Sequence, residues 1–205
     1  MSAQTVARYF PLETGNEWVL ARAGDGNAIR IQVGESRSVQ GTACSMVTGL
    51  LEEAACLRED PSGRLLRVDP GTGNETLLYD FAAALGARWE TSVHTCSRIG
   101  SVGSRSAEVT AGFGVARGLL EVVYPDVFQC GYERELFSPG VGLVQRSVVR
   151  GPAVLRYELL FARVGPLAIT SPALGLGTRG GSSGPSATTG RGPWARSASG
   201  AARTD

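Results

Sequence analysis

An all-β domain of mostly antiparallel strands, arranged as a meander in a barrel, half-barrel or sandwich, is predicted by three features of the chain. Apolar side chains recur at every second position up to about residue 165, the rhythm of strands with one buried and one solvated face. Clusters of Gly, Pro, Asn and Asp break that rhythm at short intervals, as tight turns require. No apolar stripe of helical period is long enough to supply the crossover helices of a parallel sheet.

The elements follow in order. Tyr9-Phe10-Pro11-Leu12-Glu13-Thr14-Gly15-Asn16-Glu17-Trp18 is a turn-forming entry whose aromatic side chains must be buried. Trp18–Arg22 and Ala28–Gly34 flank Gly24-Asp25-Gly26-Asn27, and the Asp-Gly pair suits a hairpin with Ile29, Ile31 and Val33 on one face. Thr42–Leu50 and Ala55–Glu59 form the next pair. Asp60-Pro61-Ser62-Gly63 reads as a type I turn into Arg64–Asp69, and Asp69-Pro70-Gly71-Thr72-Gly73-Asn74 leads to Glu75–Phe81. The one helical candidate is Asp80–Gly86, with Asp as cap and Gly as terminator, and it holds one or two turns at most. Strands resume through Trp89–Cys96, Ser104–Phe113, Arg117–Tyr124, Glu133–Phe137, Leu143–Val149 and Val154–Val164, about eleven in all. Trp18, Ile29, Ile31, Trp89, Leu155, Tyr157, Leu159 and Phe161 are the expected core.

Residues 1–165 thus form the β-rich domain. Residues 166–205 change to Gly, Ser, Ala, Thr and Pro, which bury too little apolar surface to offset ordering entropy, so a disordered tail is expected, with Trp194 as its one aromatic. All 20 basic residues are Arg. Lacking Lys, the chain cannot run Schiff-base, P-loop or kinase-type chemistry. A net charge of +1 argues against a nucleic-acid binder. No stretch reaches the roughly 18 apolar residues of a membrane span, and Met1–Arg8 hold no apolar signal core.

The chemistry-bearing residues are few. His94 is the only histidine, so hydrolytic catalysis would pass through it. On a strand His94 and Cys96 share a face about 6 to 7 Å apart, too far for a direct thiolate–imidazole bond. His94 is read instead as a polar strand residue. The cysteines and His94 could in principle bind zinc, but their spacing lacks the close ligand pairs of such sites. Glu52-Glu53 and the Glu133, Glu135 pair invite a glycosidase reading. The first pair is read as a solvated loop tip and the second as charge protecting a strand edge. Gly71-Thr72-Gly73 and Gly112-Phe113-Gly114 are read as turns or bulges. Cys44 and Cys56 could face each other across a hairpin, and Cys96 and Cys130 could close a longer loop; buried free thiols are the alternative. No catalytic, cofactor or metal residue is assigned.

The run Tyr9-Phe10-Pro11-Leu12 with Gly15-Asn16 and Trp18, then Tyr79-Asp80-Phe81 and Trp89, then Ser138-Pro139-Gly140-Val141-Gly142-Leu143-Val144, resembles an uncharacterised family of bacterial β-rich envelope and lipoprotein-type domains. Some of these are linked to intracellular proteinase inhibitor-type domains. The resemblance covers about residues 8–165 and brings no catalytic residues with it. It implies a non-enzymatic binding or structural module of the cell envelope or periplasm. Its partner would be a protein, held on a concave sheet face or an unpaired edge. Two alternatives belong to other classes: a carrier of a small apolar ligand in a partly open barrel, and a hydrolase built on His94.

Overall fold

The computed structural model of the chain describes residues 8–22, 24–112 and 114–171. Thirteen strands form one antiparallel sheet. They are β1 (Glu17–Arg22), β2 (Ala28–Val39), β3 (Thr42–Thr48), β4 (Ala55–Glu59), β5 (Arg64–Val68), β6 (Glu75–Asp80), β7 (Arg88–His94), β8 (Ser97–Ala111), β9 (Gly114–Val123), β10 (Cys130–Ser138), β11 (Gly142–Arg150), β12 (Ala153–Val164) and β13 (Leu167–Thr170). The expected all-β meander is therefore present, and the described residues contain no helix.

The order β6-β5-β4-β3-β2-β1-β12-β11-β10-β9-β8-β7 makes two six-stranded meanders, joined where β1 pairs with β12. The free ends, β6 and β7, come together to make a nearly closed barrel. Their seam is stitched by side chains: the Trp89 indole N–H and the Thr91 hydroxyl both donate to Leu78 O, at 3.2 and 2.7 Å.

The two signature runs meet in space. Trp18 stacks on Phe10 with ring centroids 4.9 Å apart, and its indole N–H donates to Val141 O at 2.6 Å. Gly142 lies under that indole at a φ of +108°, and a Cβ there would sit 2.7 Å from Trp18 Nε1, so only glycine fits. Asn16 ties the entry segment down. Its amide donates to Pro11 O and Glu13 Oε2, and its oxygen accepts from Gly165 N. Tyr79, Phe81 and Phe137 pack with centroids 5.1 to 5.3 Å apart beneath this end.

Four expectations are corrected. Asp80–Gly86 forms turns rather than a helical segment: the Asp80 side chain accepts from Ala82 N, Arg105 Nη2 donates to Phe81 O and Ala83 O, and Gly86 N donates to Val102 O on β8 instead of to a carbonyl one helical turn back. Gly100 to Ser104 is strand, because β8 begins at Ser97 and Gly100 makes room for the Trp89 ring. Phe161 faces outward, since a register shift in the β1–β12 pairing turns Ala162 and Val164 inward. The sheet also runs past residue 165, because β13 pairs with the end of β12. The remainder of the expected tail, with Trp194, lies outside the described residues, as does Phe113.

Both cysteine pairs are joined, Cys44 to Cys56 and Cys96 to Cys130. The first lies in a small separate core with Val39 and Val68. The second links the β7–β8 turn to the start of β10.

Candidate functional site

The barrel interior holds a buried ion pair that the sequence reading did not single out. Glu135 on β10 and Arg146 on β11 are directly cross-strand, and their side chains are 0% and 2% exposed. Each carboxylate oxygen has its own partners. Oε1 accepts from Arg146 Nε at 2.7 Å, while Oε2 accepts from Tyr79 OH at 2.8 Å and Tyr124 OH at 2.5 Å. Arg146 Nη1 donates to Leu50 O at 3.1 Å and to Tyr132 OH at 3.2 Å, and the guanidinium lies 4.1 Å from the centre of the Tyr132 ring. Nη2 also lies 2.7 Å from Oε1 but is misaligned and makes no hydrogen bond.

Local sequence explains how these groups converge. A register shift between Tyr132 and Arg134 lets Tyr132 and Glu135 both face inward although they are three residues apart. Within Val144-Gln145-Arg146-Ser147-Val148, Arg146 has the parity of the two valines. Outside the barrel, Arg134 donates to Gln145 Oε1 at 3.1 Å and pairs with Glu121 at 3.4 Å.

Burial pushes the Tyr79 and Tyr124 phenols well above their ordinary range, and the Glu135 charge adds to this. Tyr132 is raised too, by burial first, with Arg146 opposing. For Arg146 burial works against the charge, but the surrounding Tyr132 and Glu135 oxygens outweigh it and raise its pKa. A charge held this firmly needs its partner.

Glu135 therefore corrects the strand-edge expectation for the Glu133, Glu135 pair. β10 lies between β9 and β11, so it is no edge, and the register shift sends Glu135 inward while Glu133 stays exposed. Parity was the missed signal: a charged residue in step with apolar neighbours is either misplaced or paired.

His94 sits at the end of the barrel formed by the 49–54, 95–96 and 124–129 connections. Its ring is 5.1 Å from that of Tyr132. Nε2 lies 3.3 Å from Glu52 Oε1, and Nδ1 accepts the Cys96 N–H at 3.0 Å. That acceptor role places the proton of a neutral imidazole on Nε2. The neighbouring sulfur is held in the bond to Cys130 and offers no thiolate. Glu52 and Glu53 are exposed in the loop before β4, as expected. The Gly71-Thr72-Gly73 segment is a turn, organised by the Asp69 carboxylate, which accepts from Gly71 N and Thr72 N. Among the described residues no three His, Cys, Asp or Glu side chains gather as metal ligands. No helix of these residues is long and apolar enough to cross a membrane.

Phe137, Leu119, Leu120, Val122, Leu143 and Glu135 are each 0% exposed and fill their part of the barrel interior. One cleft opens on the outside of the barrel. It measures about 720 Å³ and lies between the entry segment, with Arg8, Leu12 and Glu13, and the Ser36, Ala43 and Glu59 region of β2–β4. Ser45 Oγ donates to Leu12 O at 3.0 Å, and Arg8 reaches Glu13 at 3.0 Å and Glu59 at 3.7 Å. Burial raises the Glu59 carboxyl, helped by Glu13 and Asp60 and opposed by Arg8.

No protein-family model matches the chain, and no curated protein matches it. Two solved structures are similar in fold. One is a candidate exported protein with a YmcC-like fold from Bacteroides fragilis, 13% identical, covering 77% of this chain and 99% of that one with a TM-score of 0.44. The other is a candidate lipoprotein from Parabacteroides distasonis, 16% identical, covering 75% of this chain and 98% of that one with a TM-score of 0.36.

Proposed function

We propose that this chain is a non-enzymatic binding module of the bacterial envelope that works in an oxidising compartment. The observation that carries the reading is the state of the cysteines: all four are paired and none is free, a pattern that persists outside the reducing cytosol. The interior favours a structural use of its charges, since Glu135 and Arg146 cannot meet a substrate while fully covered. The sulfur nearest His94 in sequence, that of Cys96, is tied up in a disulfide.

Binding then belongs to the outer surface, and the cleft beside Arg8 is the best-formed candidate for a partner protein. Leu12 and Ala43 beside the charged Arg8, Glu13, Arg58 and Glu59 give it the mixture of apolar and charged groups found at protein interfaces. Two measurements test this. Alkylation of thiols at the moment of lysis, followed by fractionation, should find the protein outside the cytoplasm with no cysteine labelled; a cytoplasmic protein with four labelled cysteines overturns the proposal. Cross-linking in intact cells should yield a discrete adduct for the parent chain and lose it for Ala43→Trp, whose side chain fills the cleft. An adduct unchanged by that substitution removes the cleft as the site.

A further inference from the structure

We propose that Cys96–Cys130 is a thiol-exchange site, and that opening it releases the loop carrying Phe128 while the barrel stays folded. The two disulfides differ in access. Cys44 and Cys56 are 3% and 4% exposed inside their own apolar cluster, whereas Cys130 is exposed and Cys96 is half-buried. A thiolate from solvent therefore meets the Cys130 end of the second bridge first, while the first, nearly covered although Cys44 borders the outer cleft, reacts only on local opening.

The exchange is a balanced two-electron step with a dithiol as reductant. Its first thiolate attacks Cys130 Sγ, the S–S bond breaks, and the electron pair leaves on Cys96 Sγ. The Thr95 hydroxyl, 4.0 Å from that sulfur, is the donor available to the departing thiolate. The second thiol of the reagent then attacks the mixed disulfide, freeing Cys130 as a thiol and closing the reagent into its own disulfide. Cys96 and Cys130 gain the two protons that the dithiol loses.

The consequence falls on the 124–129 connection. Phe128 is 84% exposed there, two positions before Cys130. The tether holds the C-terminal side of this loop against the β7–β8 turn. Weaker ties remain after reduction: Asp126 accepts from Arg98 N and Ile99 N at 2.8 and 3.2 Å, and Gln129 O accepts from Gly151 N at 2.7 Å. Ser97 Oγ still bonds Tyr132 on both its backbone N–H and its carbonyl. The barrel therefore keeps its ladders, and the loop alone gains freedom.

The test is stepwise reduction of the full chain with dithiothreitol, trapping thiols with iodoacetamide and mapping them by mass spectrometry, with chymotryptic cleavage after Phe128 followed in parallel. Cys96 and Cys130 should be alkylated at least about tenfold faster than Cys44 and Cys56, and cleavage after Phe128 should speed up by a similar factor at the same step. The Cys96→Ser/Cys130→Ser chain should show the fast cleavage without reductant, and Cys44→Ser/Cys56→Ser should not. Equal alkylation of the two pairs, or cleavage unaffected by opening Cys96–Cys130, overturns the proposal; because both are read on the unaltered chain, a variant that fails to fold does not shelter it.

Discussion

Replacing Arg146 with Met removes the cation from the centre of the barrel while nearly keeping its volume. Glu135 Oε1 then loses its donor, Leu50 O loses its 3.1 Å bond, and Tyr132 loses the guanidinium over its ring. Breaking one side of a buried pair costs about 3 to 5 kcal/mol, because the remaining charge stays desolvated. With a urea dependence of about 2 kcal/mol per molar, the unfolding midpoint should fall by about 2 M. Glu135→Leu should be comparably harmful, since it leaves Arg146 unpaired and takes the acceptor from the Tyr79 and Tyr124 hydroxyls. The double variant Glu135→Leu/Arg146→Met should lose less than the sum of the singles by about 2 kcal/mol or more, a coupling expected of contacting groups. Adding Tyr79→Phe and Tyr124→Phe should recover more, since no hydroxyl is then left without a partner. The assay is urea unfolding followed by both far-ultraviolet circular dichroism and tryptophan fluorescence, whose coincidence checks two-state behaviour. A loss below about 1 kcal/mol for Arg146→Met, or single losses that add within about 0.5 kcal/mol, refutes the view of a coupled buried pair.

Three further outcomes follow from the same structure. Tyr79, Tyr124 and Tyr132 have folded pKa values above their unfolded ones; their contribution is intact below about pH 10 and is lost as pH rises beyond it, so each Tyr→Phe change should flatten the alkaline fall in unfolding free energy, measured by urea titration, by up to about 1.4 kcal/mol per pH unit. Asp60 behaves oppositely: burial works against its charge, but hydrogen bonds from Ser62 and Arg64 hold it at about 2, so stability present above about pH 4 is lost toward pH 2, and Asp60→Asn should show a shallower melting-temperature decline in that window; an identical decline would discount these bonds. Gly142→Ala should cost about 2 kcal/mol or more, through both its φ of +108° and the Trp18 indole 2.7 Å from the new Cβ, whereas Gly140→Ala, at +71° with open space, should cost about 1 kcal/mol; thermal unfolding of the two variants side by side reads the difference.

Much of the architecture was legible because its causes are local. Alternation in Ala28–Gly34 and Leu155–Leu159 and the turn chemistry of Asp60–Gly63 and Asp69–Asn74 each act over a few residues, and the structure has them as read; of the two states open to Cys44 and Cys56, it has the bridge. The candidate site was legible only in part. His94 and Glu52 were noticed separately, but nothing nearby in sequence says that their side chains meet. Arg146 is legible from its parity with Val144 and Val148, whereas Glu135 takes its inward face from a register shift at Glu133 that no local pattern announces. The same effect sent Phe161 outward.

Sequence alone determined that this chain makes short antiparallel strands between specific turns, since backbone preferences and period-2 burial are properties of neighbouring residues. Tertiary structure decided what those strands enclose. The entry and exit signatures touch through Trp18 and Val141, 123 residues apart, and Glu135, Arg146 and three tyrosines from four places in the chain converge on one dry centre. Such convergence is a matter of register and closure, fixed when the two meanders join at β1 and β12 and their free ends meet.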